Sequence, residues 1–224
     1  PTIIEISGNV LTVVGVSGPV TITATQSATT NYTSRSVTMV VNETPIAPTI
    51  GYLWVNNPTL LNALPYDSSY VLIDPSSNST GAFTYTSSDP TIIEVSGNVL
   101  TVVGVSGQVT LTATQAATTN YLSGSTQMFL TQTAIAPTID ILTTNNPDLS
   151  NNQSVGTLYT IIDPSSNSTG LFTYTSDNTA VAFVSGNDIS MNMVGTANIS
   201  GTQASSSDNH YSTGTVPVLN ITVQ

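Results

Sequence analysis

The chain is 224 residues long, with twelve acidic residues against one basic residue, Arg35, for a formal net charge of −11. Only 6% of its residues are charged, where ordinary globular domains carry roughly a quarter, so solubility must come from serine, threonine and asparagine. A single cation cannot neutralise a run of phosphates, which argues against nucleic acid and against an anionic membrane surface as partners. Cysteine is absent, so disulfides and thiol chemistry are excluded. No apolar run approaches the ~18 residues of a membrane span, so no membrane insertion is expected. The chain opens at Pro1 without a signal peptide or initiator Met, and it is expected to be a mature product or a segment of something longer.

Internal repetition sets the organisation. Pro1-Thr-Ile-Ile-Glu5 returns as Pro90-Thr-Ile-Ile-Glu94, Tyr32 as Tyr121, and Ala47-Pro48-Thr49-Ile50 as Ala136-Pro137-Thr138-Ile139. Asp74 to Gly81, DPSSNSTG, returns as Asp163 to Gly170. Each displacement is 89 residues. The best breaks are the proline-bearing segments 45–48 and 134–137, because proline suits a link or a strand start and not a central strand. On that framing residues 1–46 are the C-terminal half of a unit, 47–135 a complete unit and 136–224 a complete, divergent one.

Along the complete unit the pattern predicts seven short strands, near 49–55, 69–74, 82–87, 91–96, 98–104, 108–115 and 125–132. Asn56-Asn57-Pro58, Asp74-Pro75-Ser76-Ser77-Asn78 and Ser88-Asp89-Pro90 supply turn chemistry between them. Gly104 and Gly107 punctuate the turn before the sixth strand, in which Val109, Leu111 and Ala113 alternate with Thr110, Thr112 and Thr114. That period of two gives an apolar face and a threonine face. The repeats also probe each other. Leu100 and Val102 become Ile189 and Met191, still apolar, whereas Val99 and Val103 become Asp188 and Asn192. The expected core is Tyr70, Leu72, Phe83, Tyr85, Ile93, Val95, Leu100, Val102, Val109, Leu111 and Ala113. Seven short antiparallel strands in about ninety residues predict an all-β fold of tandem immunoglobulin-like sandwiches.

The run FTYTSSDPTIIEVSGNVLTVVGVSGQVTLTATQAATTNY, residues 83–121, resembles the bacterial immunoglobulin-like repeats of group 2, the "Big" type, found in surface proteins. The resemblance is close over each unit's C-terminal half: the YTSSD turn, the VSGN turn, the glycine before the threonine-alternating strand and the TQA…NY ending. Over 49–73 it holds only by pattern. It implies a mechanical and adhesive role in stalks, adhesins, S-layer-associated proteins or virus fibres, and it brings no active site. The ATTNY wording is similar to variants in marine microbes and their viruses, so a virion surface stands as the alternative location to a cell surface.

Residues 1–46 supply four strands and lack the counterparts of 49–55, 69–74 and 82–87. Such a half-sandwich exposes its inner face, Ile4, Ile6, Leu11, Val13, Val20, Ile22 and Ala24, together with strand edges. Either further sequence of the same chain completes it, or a neighbouring molecule does so by strand addition, giving a filament.

Candidate chemistry is sparse. Asp74 and Asp163 open oxygen-rich loops and are the calcium candidates, although one carboxylate per loop and the lack of EF-hand spacing weigh against them. Good turn chemistry explains the same residues. Seven Asn-x-Ser/Thr triplets occur, about what chance gives in so asparagine- and serine-rich a chain; Asn78 and Asn167 are the glycosylation candidates because their loops should be exposed. Asp208, His210 and Tyr211 form a possible ligand loop, yet one histidine without cysteine builds no ordinary zinc site. Adjacent loop residues do not make a catalytic triad either. The threonine rows are a wet sheet face before they are an ice or sugar surface. Trp54, whose counterpart is Thr143, is a possible junction contact. Three roles follow: a structural stretch of a fibre or stalk that self-associates, an adhesin binding a glycan or protein through its end unit, or an enzyme, for which no nucleophile–base pair or metal cluster speaks.

Overall fold

The computed structural model describes residues 3–56, 63–146 and 152–224. The Asn57-Pro58 break lies outside them. The described residues form strands, turns and loops with no helix, the all-β immunoglobulin-like fold that the period-two patterning calls for. Three sets of strands follow one another along the chain.

The first set has β1 (Ile4–Ser7), β2 (Val10–Val13), β3 (Val20–Gln26) and β4 (Arg35–Val41). Among the described residues they pair only as two hairpins, β1–β2 and β3–β4. The second set has β5 (Trp54–Val55), β6 (Leu64–Pro65), β7 (Ser69–Ile73), β8 (Phe83–Ser87), β9 (Ile93–Ser96), β10 (Val99–Val102), β11 (Gln108–Gln115) and β12 (Gly124–Thr133). These build two four-stranded sheets, β5-β7-β10-β9 and β6-β12-β11-β8. The third set has β13 (Thr143–Thr144), β14 (Leu158–Ile162), β15 (Phe172–Ser176), β16 (Ala182–Ser185), β17 (Asp188–Met191), β18 (Gly195–Gln203) and β19 (Gly214–Val223). Its sheets are β13-β14-β17-β16 and β15-β18-β19.

The two sheets of each later set enclose a core. In the second set Leu64, Ile93, Leu100, Val102, Leu111, Ala113 and Leu130 have no exposed surface. All eleven residues expected at this core are there, with Phe83, Tyr85 and Val95 half-buried at its margin. Along β11 the burial alternates from Val109 to Gln115, and every second residue, Thr110, Thr112 and Thr114, faces out. The third set holds Ile161, Ala182, Ile189, Met191, Ile199 and Ile221 in the same way. Met191 and Ile189 are buried, while Asp188 and Asn192 are exposed, as the comparison of copies implies.

Three details differ from the sequence reading. The run 49–55 is not one strand. Ile50 bridges Ser77, and the Gly51 amide donates to the Ser76 carbonyl at 2.8 Å, before Trp54 and Val55 pair with Ile73 and Leu72 of β7. The chain thus serves a loop first and a sheet second. The sequence reading also lacks β6, a two-residue strand ending in proline, which pairs parallel with Gln132 and Thr133 at the end of β12. Proline is tolerated there because the pairing lies at a sheet edge. Finally, β18 and β19 shift register between Ile199 and Gly201, a bulge that absorbs the length difference between this copy and β11.

The first set shows what the same residues do without cover. None of residues 3–46 is buried. Ile6 is 59% exposed and Met39 55%, whereas Met128, which matches Met39, is 8% exposed. Leu111 and Ile22 occupy matched positions, paired with Met128 and Met39 respectively. Leu111→Ala should cost about 2–5 kcal/mol in urea unfolding, as core truncations do. Ile22→Ala should cost less than about 1 kcal/mol in the same measurement, as at sites without packed neighbours.

Candidate functional site

Two features exceed what a closed sandwich needs. One is the joint between consecutive strand sets, which occurs twice. The other is the open face of the first set.

In each joint the proline link is stitched into the set that follows it. The Ile46 amide donates to the Asn120 carbonyl at 3.2 Å, and the Leu122 amide returns a bond to the Ile46 carbonyl at 2.8 Å. The second joint repeats this: the Ile135 amide donates to the His210 carbonyl at 3.1 Å, and the Ser212 amide to the Ile135 carbonyl at 2.9 Å. The link then lies flat on a glycine. A Cβ added to Gly124 would fall 2.8 Å from Pro48 Cγ and 2.9 Å from Ile50 Cδ1; at Gly214 it would fall 2.5 Å from Pro137 Cγ and 2.6 Å from Ile139 Cδ1. Only a residue without a side chain admits the link so closely.

Each joint also reaches back to the preceding set. In the first, the Val16 amide donates to Asn120 Oδ1 at 3.0 Å. In the second, His210 takes the place of Asn120, and its ring stacks on Tyr66 with centroids 4.0 Å apart and planes 14° from parallel. Tyr211 meets Tyr66 edge-on at 5.9 Å. Asp208 holds the loop: it accepts from the Ser206 hydroxyl at 2.5 Å and the His210 amide at 3.1 Å, bonds that keep its carboxyl below the usual range. Its second oxygen lies 3.1 Å from His210 Nδ1. The expected ligand loop Asp208, His210 and Tyr211 is therefore brought together, with its rings turned on Tyr66 of the preceding set.

The DPSSNSTG loops are held from several sides. The Tyr85 hydroxyl donates to Asp74, and the Tyr174 hydroxyl to Asp163 at 2.8 Å. Asp163 also receives Asn187 Nδ2 at 2.8 Å. Both carboxylates thus have protein donors of their own, and among the described residues no group of three His, Asp or Glu side chains converges on a metal-sized site. Asn78 and Asn167 are exposed, and their amide oxygens accept from the Thr49 and Thr138 amides at 2.8 Å, leaving the Nδ2 end outside that bond. Trp54 meets Tyr52 edge-on with centroids 6.2 Å apart.

One residue the sequence reading missed anchors each loop. Gln115 is 2% exposed. Its Nε2 donates to the Ser79 and Gly81 carbonyls at 3.0 and 2.9 Å, and its Oε1 accepts from the Ser77 hydroxyl at 2.7 Å. Gln203 makes the same three bonds in the third set. The signal was present: Gln115 is the fourth inward position of the Val109, Leu111, Ala113 alternation, and a polar residue on an apolar face must find buried partners.

No protein-family profile matches the chain, and no curated protein does. Among solved structures it is similar to the EC1-2 region of human protocadherin-24, at 12% identity over 81% of this chain and 99% of that one, with a TM-score of 0.34. Domains 4 and 5 of the S-layer protein SbsC match at 12% identity over 78% and 98%, TM-score 0.30. The C-terminal fragment of intimin, solved with the intimin-binding domain of its translocated receptor, matches at 18% identity over 78% and 64%, TM-score 0.30. At such scores none of these lends this chain a partner or an activity.

Two outcomes check the site. Burial first, then the bond to Asp74 or Asp163, raises the Tyr85 and Tyr174 hydroxyls above the ordinary tyrosine value of 10.0. The folded state then holds its protons longer than the unfolded one, so stability is intact below pH 10 and falls as pH rises beyond it. Thermal melts of the double Tyr85→Phe, Tyr174→Phe variant should lose much of that alkaline slope. Gly214→Val should speed amide exchange at Ile135 and Ser212 by about tenfold or more while Ile199 in the core is unchanged.

Proposed function

We propose that the chain is a load-bearing stretch of an extracellular or cell-surface fibre or stalk, without catalysis. Residues 1–46 are the C-terminal half of an immunoglobulin-like unit, 47–135 a complete unit and 136–224 a complete, divergent one. The observation that carries this reading is the repeated joint. A flexible tether between beads needs no glycine seat, no two-bond stitch and no ring stack across the boundary. This chain has the seat and the stitch twice, and builds the stack where His210 replaces Asn120. Such joints resist bending, and bending resistance is what a spacer contributes.

The adhesin reading would place ligand chemistry on the loop around Asp208, His210 and Tyr211. That loop's rings face Tyr66, which favours the spacer role for them. The scarcity of cations suits the same role: with one basic residue the surface offers polyanions nothing to grip, and its polar groups are mostly hydroxyls and amides. Among the described residues no helix is long and apolar enough to cross a membrane.

Negative-stain images and small-angle scattering of the 224-residue protein test the proposal. Elongated particles with a narrow distribution of bend between the two complete units are expected, and Gly124→Val or Gly214→Val should broaden it. Freely jointed beads in the unmodified protein would refute the spacer reading.

A further inference from the structure

The open face of residues 3–46 is specific enough to say what covers it. Resting on the repeat reading above, we propose that it is a receptor for one occupant: a polypeptide segment with the chemistry of residues 63–89 of this chain, the N-terminal half of another repeat.

The apolar side is a mould. Ile6, Leu11, Val13 and Met39 are 59%, 37%, 49% and 55% exposed, while Leu100, Val102 and Met128, which match the last three, are 0%, 0% and 8% exposed. In the second set the matching strands are flanked by β6, β7 and β8. Tyr70 of β7 stands opposite Leu100, Tyr85 of β8 opposite Ala113, and Leu64 of β6 lies parallel beside Gln132. The matching edges of β2, β3 and the end of β4 carry no strand among the described residues.

The polar side repeats the message. Gln26 matches Gln115, whose buried amide binds the Ser77-to-Gly81 loop by three hydrogen bonds; Gln26 is exposed. Glu43 matches Gln132, which stands beside Leu64 of β6 in the second set.

Arg35 narrows the occupant. It stands where Gly124 stands, opposite Gln26 as Gly124 stands opposite Gln115. At Gly124 the seat belongs to Pro48 and Ile50 of the link; in the first set an arginine side chain stands there instead. The receptor therefore takes the strand-bearing part of a repeat and not the link before it. The loop that comes down on Gln26 meets the chain's one cation, and DPSSNSTG carries one carboxylate and no cation. Shape, edge pairing and charge agree on one kind of segment.

The test uses the whole 224-residue protein and a synthetic peptide of residues 63–89. One-to-one binding is expected, with amide exchange in β3 and β4 slowed by about tenfold or more. A peptide carrying Leu72→Asp should not protect, nor should the wild-type peptide protect an Ile22→Glu protein. A second arm fuses the same segment ahead of Pro1 through a flexible linker, so that a peptide too weakly ordered to bind in trans is still presented at high local concentration. Protection in either arm supports the proposal. No protection in both arms overturns it, and so does a concentration-dependent dimer, seen by sedimentation, that closes the face against the peptide. Elongated particles whose open face rejects the segment would leave the spacer reading standing and remove only this inference.

Discussion

A strand that alternates aliphatic residues with threonine has one face that water can hydrate and one that it cannot. Everything else in this molecule follows from the need to cover the second face. In β11 the inward residues Val109, Leu111 and Ala113 are covered, and the strand sits between two neighbours. In β3 the same pattern, Val20, Ile22 and Ala24, has among the described residues a neighbour on one side only, and no residue of it is buried. Each large side chain left uncovered forgoes about 1.5–3 kcal/mol of burial. The two near-copies thus form an internal control, in which sequence is nearly constant and cover is the variable.

Covering a face inevitably buries polar groups at its ends, and the chain handles them with neutral partners instead of charges. Gln115 and Gln203 each satisfy two carbonyls and a hydroxyl. The Asp74 and Asp163 carboxylates, by contrast, are exposed and accept from the Tyr85 and Tyr174 hydroxyls. An amide plug carries no Born penalty, whereas an ion pair in the same place would have to overcome one. This is consistent with a chain in which charged residues make up 6% of the total.

The fold was legible because its periodicity is short and repeated. The period of two located β11 to the residue, and substitutions between copies separated buried Leu100 from wet Val99. What escaped reading were contacts that have no period. β6 is two residues long and ends in proline, so nothing in its own sequence marks it; its existence depends on an edge of β12 nearly seventy residues away. Gly124 and Gly214 look like ordinary loop glycines until Pro48 and Pro137 are seen lying on them. Gln115 could have been found, since it breaks the apolar face that the alternation defines. His210 could not: its role depends on Tyr66, a residue in the preceding repeat, and no local rule links the two.

The joints combine contacts that are constant with contacts that vary. In each joint a pair of main-chain bonds and a glycine seat tie the link to the following set, and the side-chain contacts back to the preceding set differ from joint to joint. Asn120 offers an acceptor to Val16, while His210 offers a ring to Tyr66. The constant elements hold the link against the following set, and the variable ones face the preceding set. Under the proposed spacer role, an array varies its bending residue by residue along its length while every core remains the same. In this chain the variable position has moved from a small amide, Asn120, to a stacked ring, His210, while the main-chain bonds and the glycine seat beside it are kept.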